Sequence, residues 1–550
     1  MGILNRLSKA QKRKLFSRFV LNWMPILSRA QALEHEFSQI GLKSATQNYT
    51  LNTSTDSKHG VNTYAVFYAP RSDANTNAIA MLLSLGKLFK RCSHFSKDII
   101  FVVSDGQAEG LQAWLKAYHG NEESTYDRTE ETLRVRSGAI QAALNLDFAG
   151  TGDYNALGIF FEGVNGQLPN LDLINTVADI AKDVAPVELT LHDELVPYTD
   201  NMTKNYINSL KKMLYMMKYQ AVGSPSGNHG LYLKYKIDAI TLYGFDKPGW
   251  PSQRYGFQRL GSLIESTVRS LNNLLEHLHQ SFFFYLLSGV RRYTSIGLYM
   301  PPVIILGVSF IFQALSLWGV SSDLPLEVEA ISKGEKTAVG LPYSRRDRNL
   351  KVPATIIGMS FVAGLASFQL LTTEFGFPGE TPMLKLVASV GVCSMLVISA
   401  VSSARVRNHV LKSADKKDNS ASSGELTPAV DWIILKTFIL ALSALFVTTL
   451  SALNFSLAVS IGVIIVFPYM VFRPSRFIGL SIVQAIILLV ISPPGLLLMA
   501  SSFYSMDVSM VLGWALQEYE VLGTWLLPAV CGIYWPLNLA AIVMVLMPVS

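Results

Sequence analysis

His229 stands between Gly227 and Gly230, ahead of a strand-like run, and Asp147 closes another such run. An imidazole and a carboxylate at strand ends are residue types that ligate metals or move protons. The remainder of such a site is not assembled: there is no G-x-S-x-G, H-E-x-x-H, P-loop or C-x-x-C. A lone loop histidine more often makes structural hydrogen bonds, and an Asp at a strand-end turn more often bonds local backbone. His94, His119 and His192 have no partners at ligand spacing, and Cys92 has no motif. No catalytic residue, metal centre or cofactor is assigned. Toward the C-terminus the prolines stand out: Pro301-Pro302, Pro468, Pro493-Pro494, Pro528 and Pro536, with Asn538 two residues on. A proline in an apolar helix frees a carbonyl that neighbours or a lipid headgroup can satisfy. Pro528, Pro536 and Asn538 are therefore candidate lipid-binding positions, with a kinked, packed helix as the alternative.

The elements that must position these groups differ between the two parts of the chain. In the first, 61–69, 98–103, 157–162 and 237–243 read as strands, and 77–91, 109–118, 171–183 and 206–220 carry apolar residues at helical spacing. That alternation predicts an α/β layered domain with a mainly parallel sheet. Ligand groups in such sheets gather at the strands' C-terminal ends, here Ser104-Asp105-Gly106, Leu146-Asp147 and the 226–230 loop.

The chain is 50% hydrophobic and 16% charged, against about 25% charged for a soluble domain, which excludes a disordered chain. The charges are segregated. Six charge-free runs (293–322, 352–373, 386–404, 437–472, 477–506 and 521–550) reach the length of about 20 residues that crosses a bilayer. The fourth, roughly 54 Å as one helix, fits two passes turning near Asn454 if Lys436 snorkels. This predicts about seven spans. Every second loop between them is basic, placing the first loop and the C-terminus in the cytoplasm and the soluble part in a lumen. The net charge of +6 is thus orientation charge and not a nucleic-acid footprint. The near absence of ionisable residues within the runs argues against a transporter.

Asn48, Asn52 and Asn201 begin glycosylation sequons, in agreement with lumenal placement. Residues 1–28 form a basic lead with an apolar segment too short to span. From Leu260 to Leu287 apolar residues recur on one face and end in the aromatic run 282–285, predicting an interfacial helix at 259–292, with a core stripe as the alternative. The expected organisation is a basic N-terminus (1–28), a soluble α/β domain (29–258), the amphipathic segment (259–292) and an all-α polytopic membrane domain (293–550).

Three blocks then carry a family likeness: GVNGQLPNLDLIN at 163–175, GNHGLYLKY at 227–235, and the stretch from Leu274 through SIGLYMP at 295–301. Together they resemble the GPI-anchor attachment protein family, the large multispanning subunit of GPI transamidase. The resemblance implies an endoplasmic reticulum membrane protein with an aminopeptidase-like lumenal domain, in a complex that cleaves a proprotein's C-terminal signal and attaches a GPI lipid. It also implies partner subunits including a caspase-like cysteine peptidase that supplies the nucleophile, so this chain would be noncatalytic and without a cofactor. The competing reading is a metal-dependent amide-forming or peptidase-like enzyme in the lumenal domain.

Against the aminopeptidase pattern the site is decayed. Where those enzymes carry a Glu-Glu pair before Gly-Leu, this chain has Gln107-Ala108-Glu109 before Gly110-Leu111. Asp147 and His229 match two ligand positions, Asp73 aligns loosely with the bridging Asp, and the His-x-Asp motif is absent. Two of about five ligands without the base do not hold a catalytic metal pair. The family also has a full first span and further sequence at the Ser28/Arg29 junction, and a strand between Arg71 and Ser72. Loss of that strand predicts an open sheet edge and a void.

Overall fold

The computed structural model describes residues 43–52, 57–66, 76–93, 95–104, 107–120, 133, 135–149, 153–193, 201–246, 254–321, 348, 350–373, 381–415 and 431–547. They form two compact units, the first comprising the residues up to Tyr299 with Glu520–Thr524, the second Met300–Tyr519 with Trp525–Ser550. The 1–28 segment and the Arg71/Ser72 junction lie outside the described residues.

The first unit is α/β, as its alternating periodicities require. In order it contains β1 (Lys43–Asn52), β2 (Ser57–Val66), α1 (Thr76–Phe89), β3 (Ile100–Val103), α2 (Gln107–His119), β4 (Ala142–Phe148), β5 (Ala156–Phe160), α3 (Leu171–Asp183), β6 (Leu189–Leu191), α4 (Met202–Val222), α5 (His229–Lys234), β7 (Asp238–Phe245) and α6 (Phe257–Asn273). A hairpin of β8 (Tyr285–Gly289) and β9 (Arg292–Ser295) follows.

The strands form two sheets. β1-β2-β3 is antiparallel, and β4-β7-β5-β6 is mainly parallel, with only β5 and β7 opposed. β5 is a continuous apolar run, Ala-Leu-Gly-Ile-Phe, because helices or neighbouring layers cover both of its faces. Trp114 on α2, Phe148 at the end of β4 and Phe161 directly after β5 are fully buried, each contributing about 1.5–3 kcal/mol of transfer free energy. β3 and β4 are the edge strands of their sheets, and a cavity of about 890 Å³ is lined by residues 97–104 and 137–147 almost without interruption. A strand presents only alternate residues through one face, so consecutive lining residues mean that the edges meet the cavity.

Two expectations change here. The pattern from Leu260 to Leu287 is not one helix: α6 ends at Asn273 and the hairpin begins at Tyr285. Leu260, Leu263, Ile264 and Thr267 of α6 are buried, and Asn272 accepts hydrogen bonds from the backbone of Ser96 and Lys97 at 2.9 and 3.1 Å. Its apolar stripe is core. His229, expected in a loop, is instead the first residue of α5.

The second unit is all helical: α7 (Ile296–Val320), which begins at the end of the first unit, α8 (Lys351–Thr372), α9 (Pro382–Asp415), α10 (Asp431–Leu453), α11 (Phe455–Val471), α12 (Ile478–Val490), α13 (Pro493–Tyr504), α14 (Val508–Gln517), α15 (Leu526–Ala529) and α16 (Trp535–Leu546). Among the described residues, five helical segments are long and apolar enough to span a membrane, six if the pair α12 and α13, bent by 62°, is one span. The expected seventh, α11, has 17 residues, at the short limit for a span. The bend follows from Ser492, which caps α13, and from Pro493 and Pro494, which cannot continue α12. The 437–472 run does turn at Asn454, whose Oδ1 accepts from Leu457 N at 3.0 Å and so caps α11. Lys436 is buried, and its Nζ donates to Met470 O at 2.7 Å and Phe472 O at 2.8 Å, satisfying carbonyls left open where α11 ends.

Candidate functional site

A buried polar cluster in the first unit collects at the end of β5. Glu162 follows the strand after Phe161, and His192 follows β6, which pairs in parallel with β5. The pairing brings the two side chains together. His192 Nε2 lies 2.8 and 2.9 Å from the two carboxylate oxygens of Glu162, and both residues are completely buried. Ser226 Oγ donates to Glu162 Oε2 at 3.0 Å. The His192 ring stacks on Tyr219 with centroids 4.4 Å apart. Burial pushes the Glu162 carboxyl up, but the charge and hydrogen bond of His192 outweigh it and hold the carboxyl below its ordinary value. His192 takes a left-handed backbone, φ 54°, which turns its carbonyl over Gly158, where a Cβ would come within 2.2 Å of that oxygen.

His229 lies beside this pair with both ring nitrogens engaged. Nε2 is 3.0 Å from Glu162 O, which only accepts, so Nε2 carries the proton; Nδ1 accepts from the Thr241 hydroxyl at 2.7 Å. Thr241 Oγ1 in turn accepts from Asn145 Nδ2 at 2.9 Å. Burial drives the His229 pKa down to about 4, so the ring is neutral at physiological pH. A neutral imidazole whose two nitrogens are spent on protein partners has no lone pair for a metal. Gly230 and Gly163 bring the loops on either side into contact: a Cβ at Gly230 would lie 3.0 Å from Gly163 Cα. Two of the three sequence blocks that carry the family likeness, 163–175 and 227–235, therefore pack on each other.

The cluster does not form a nucleophilic triad. Ser226 donates to the carboxylate and not to an imidazole, so no base is placed on its hydroxyl. Asp147, opposite Tyr243 in the register of β4 and β7, lines the cavity two residues beyond Asn145. Among the described residues no three His, Cys, Asp or Glu side chains come together to hold a metal. Asp73, His94 and Asp105-Gly106 lie outside the described residues. Of the sequon residues, Asn48 is exposed on β1, and Asn201 is exposed at the cap of α4, its Oδ1 accepting from Thr203 N and Lys204 N. Asn52 closes β1.

In the second unit, Pro528 lies in α15, half-buried, and Pro536 opens α16 directly after a π-helical turn, Val530–Tyr534. α8 approaches this turn at Gly364, where a Cβ would stand 2.3 Å from Cys531 O and 2.5 Å from Pro536 Cγ. Cys393 Sγ receives Trp535 Nε1 at 3.0 Å and lies 3.2 Å from Ser367 Oγ, linking α8, α9 and α16. Tyr534 donates to Ile491 O at the end of α12. Asn538 is wholly buried, one turn beyond Tyr534, with which its amide interacts. Ser443 Oγ, Tyr469 Oη and Gln484 Oε1 in the same unit are buried without a hydrogen-bond partner among the described residues. The last helix is thus interior, with every residue from Trp535 to Val545 buried.

Glu162 and His192 are the pair that sequence reasoning missed. A lone acid at the end of an apolar strand was the available signal, but its partner is thirty positions away, directly after a strand of three residues.

Residues 59–542 match the family described as Gaa1-like, GPI transamidase component. The chain is similar to the GPI transamidase component gaa1 of Schizosaccharomyces pombe, 36% identical over 306 residues that cover 52% of this chain and 51% of that protein. It is also similar to the GPI transamidase component GAA1 of Saccharomyces cerevisiae, 31% identical over 281 residues covering 47% and 42% of the two chains. The chain spans about half the length of the curated relatives it matches.

Proposed function

The chain belongs to the Gaa1-like family of GPI transamidase components, and on that premise we propose that it is a noncatalytic subunit of GPI transamidase in the endoplasmic reticulum membrane. In this reading the α/β unit is lumenal and the C-terminus cytoplasmic, the cleaving cysteine belongs to a caspase-like partner subunit, and this chain helps present the proprotein's C-terminal signal and the GPI lipid to it. The observation that carries the noncatalytic role is the wiring of His229, whose ring nitrogens are both committed to Thr241 and Glu162. A lipid role for the region of Pro528, Pro536 and Asn538 is supported by the prolines beside the π-helical turn, because a proline in an apolar helix frees a carbonyl that a lipid headgroup can satisfy.

The test is affinity purification of the full chain from membranes in mild detergent, with mass spectrometry of what accompanies it. Recovery of a caspase-like peptidase and other multispanning subunits is expected. Recovery of the chain alone would overturn the assignment. Asn538→Leu is expected to leave subunit recovery intact and to reduce co-purifying GPI lipid.

A further inference from the structure

α4 turns an apolar face away from the rest of its own unit. Met202, Tyr206, Ile207, Leu210 and Leu214 are exposed, Met202 to 87% and Tyr206 to 71%. With the half-buried Met213 and Met217 they fall within an arc of about 140° at 3.6 residues per turn. Only the C-terminal half of the helix is held by the unit: Met216 is buried and receives Leu287 N from β8 at 3.0 Å, and Gln220 donates to Gly166 O at 3.0 Å. Lys204, Lys211 and Lys218, each seven positions from the next, are exposed along one border of the apolar arc, and the helix contains no acidic residue.

The strand on which α4 packs leads directly to a membrane span. β8 and β9 form the hairpin, β9 ends at Ser295, and α7, a candidate span, starts at Ile296. Phe282, Phe283 and Phe284 are exposed immediately before β8, and Tyr293 is exposed on β9. Exposed aromatic rings beside the start of a span are the composition of a membrane–water boundary. An amphipathic helix bordered by lysines and attached to that boundary has the chemistry of an interfacial helix.

We propose that α4 lies in the membrane interface, its apolar arc toward the acyl chains and Lys204, Lys211 and Lys218 reaching lipid phosphates. The occupant of the apolar face is the bilayer, because the lysine border and lack of acids match anionic headgroups, and because exposed aromatic rings stand on the hairpin on which α4 packs. The interfacial role that sequence periodicity placed on 259–292 thereby falls to a different helix.

The full chain, reconstituted in phosphatidylcholine vesicles containing phosphatidylinositol, is labelled with an environment-sensitive fluorophore at Leu210→Cys, and in a second sample at Asn208→Cys on the opposite face. Lipid-borne nitroxides are expected to quench the 210 label at a depth of about 5–10 Å below the headgroups, with iodide acting mainly on the 208 label. Iodide quenching of the 210 label equal to that of the 208 label, or protection of the 210 label from both quenchers, would overturn the proposal, the latter outcome showing a protein cover. Leu210→Glu with Tyr206→Glu, both on the exposed half of the helix, is expected to preserve folding and to abolish lipid quenching at a label on Leu214→Cys. Persistence of that quenching would also contradict it. Neither readout depends on recovery of transamidase subunits.

Discussion

His192 Nε2 bridges both carboxylate oxygens of Glu162, at 2.8 and 2.9 Å, in a place solvent does not reach. Removing one member leaves the other buried without its partner. His192→Ala is expected to cost about 3–5 kcal/mol. Thermal unfolding of the detergent-solubilised protein measures it, and a change within error of wild type would show that the pair does not hold this corner of the unit.

His229 sets a pH dependence with a definite sign. Its folded pKa, about 4, lies below the ordinary value of 6.5, so the unfolded chain binds the proton first as pH falls. Stability is fully present above pH 6.5 and is lost toward pH 4, by an amount on the order of 3 kcal/mol. Glu162, also held below its ordinary value, adds to the loss at the acid end of that window. Denaturation midpoints at pH 7.5 and 5 check this, and His229→Gln is expected to flatten the slope.

Metal content separates the scaffold reading from the enzymatic one. With both nitrogens of His229 bonded within the protein, the purified chain is expected to carry substoichiometric zinc by elemental analysis. His229→Asn is expected to lower the melting temperature without changing that content. One zinc per chain, lost in His229→Asn, would contradict the scaffold reading.

Lys436 supplies a prediction for the helical unit. Lys436→Met leaves the carbonyls of Met470 and Phe472 without this donor; Met470 O keeps its bond from Gln313 Nε2 at 2.8 Å. The cost falls mainly on Phe472 O, about 1–3 kcal/mol, read as a lower melting temperature.

Much of this architecture was legible in the sequence because period and length are local properties. The runs that became α1 to α4 and the turn at Asn454 follow from apolar spacing and from the reach of a helix. Other features depend on which face meets which neighbour. The stripe of Leu260, Leu263 and Ile264 has the same period whether it meets a core or a membrane, and only the fold puts it inside. Lys436 could not be seen to reach Phe472 until α10 and α11 were folded back on each other. The Asp147 and His229 positions stood out by residue type, but the bonds that commit His229 come from Thr241 and Glu162, which no spacing rule connects.

The central claim, that this chain serves GPI attachment as a subunit without supplying the chemistry, is tested most directly in cells depleted of their own Gaa1-like component. The measurement is conversion of a reporter proprotein to its GPI-anchored form on expression of this chain. The expected result is restored conversion, retained when Asp147→Asn is introduced in the α/β unit. Failure to restore conversion despite stable expression, or conversion that vanishes with Asp147→Asn alone while the protein remains folded, would contradict it.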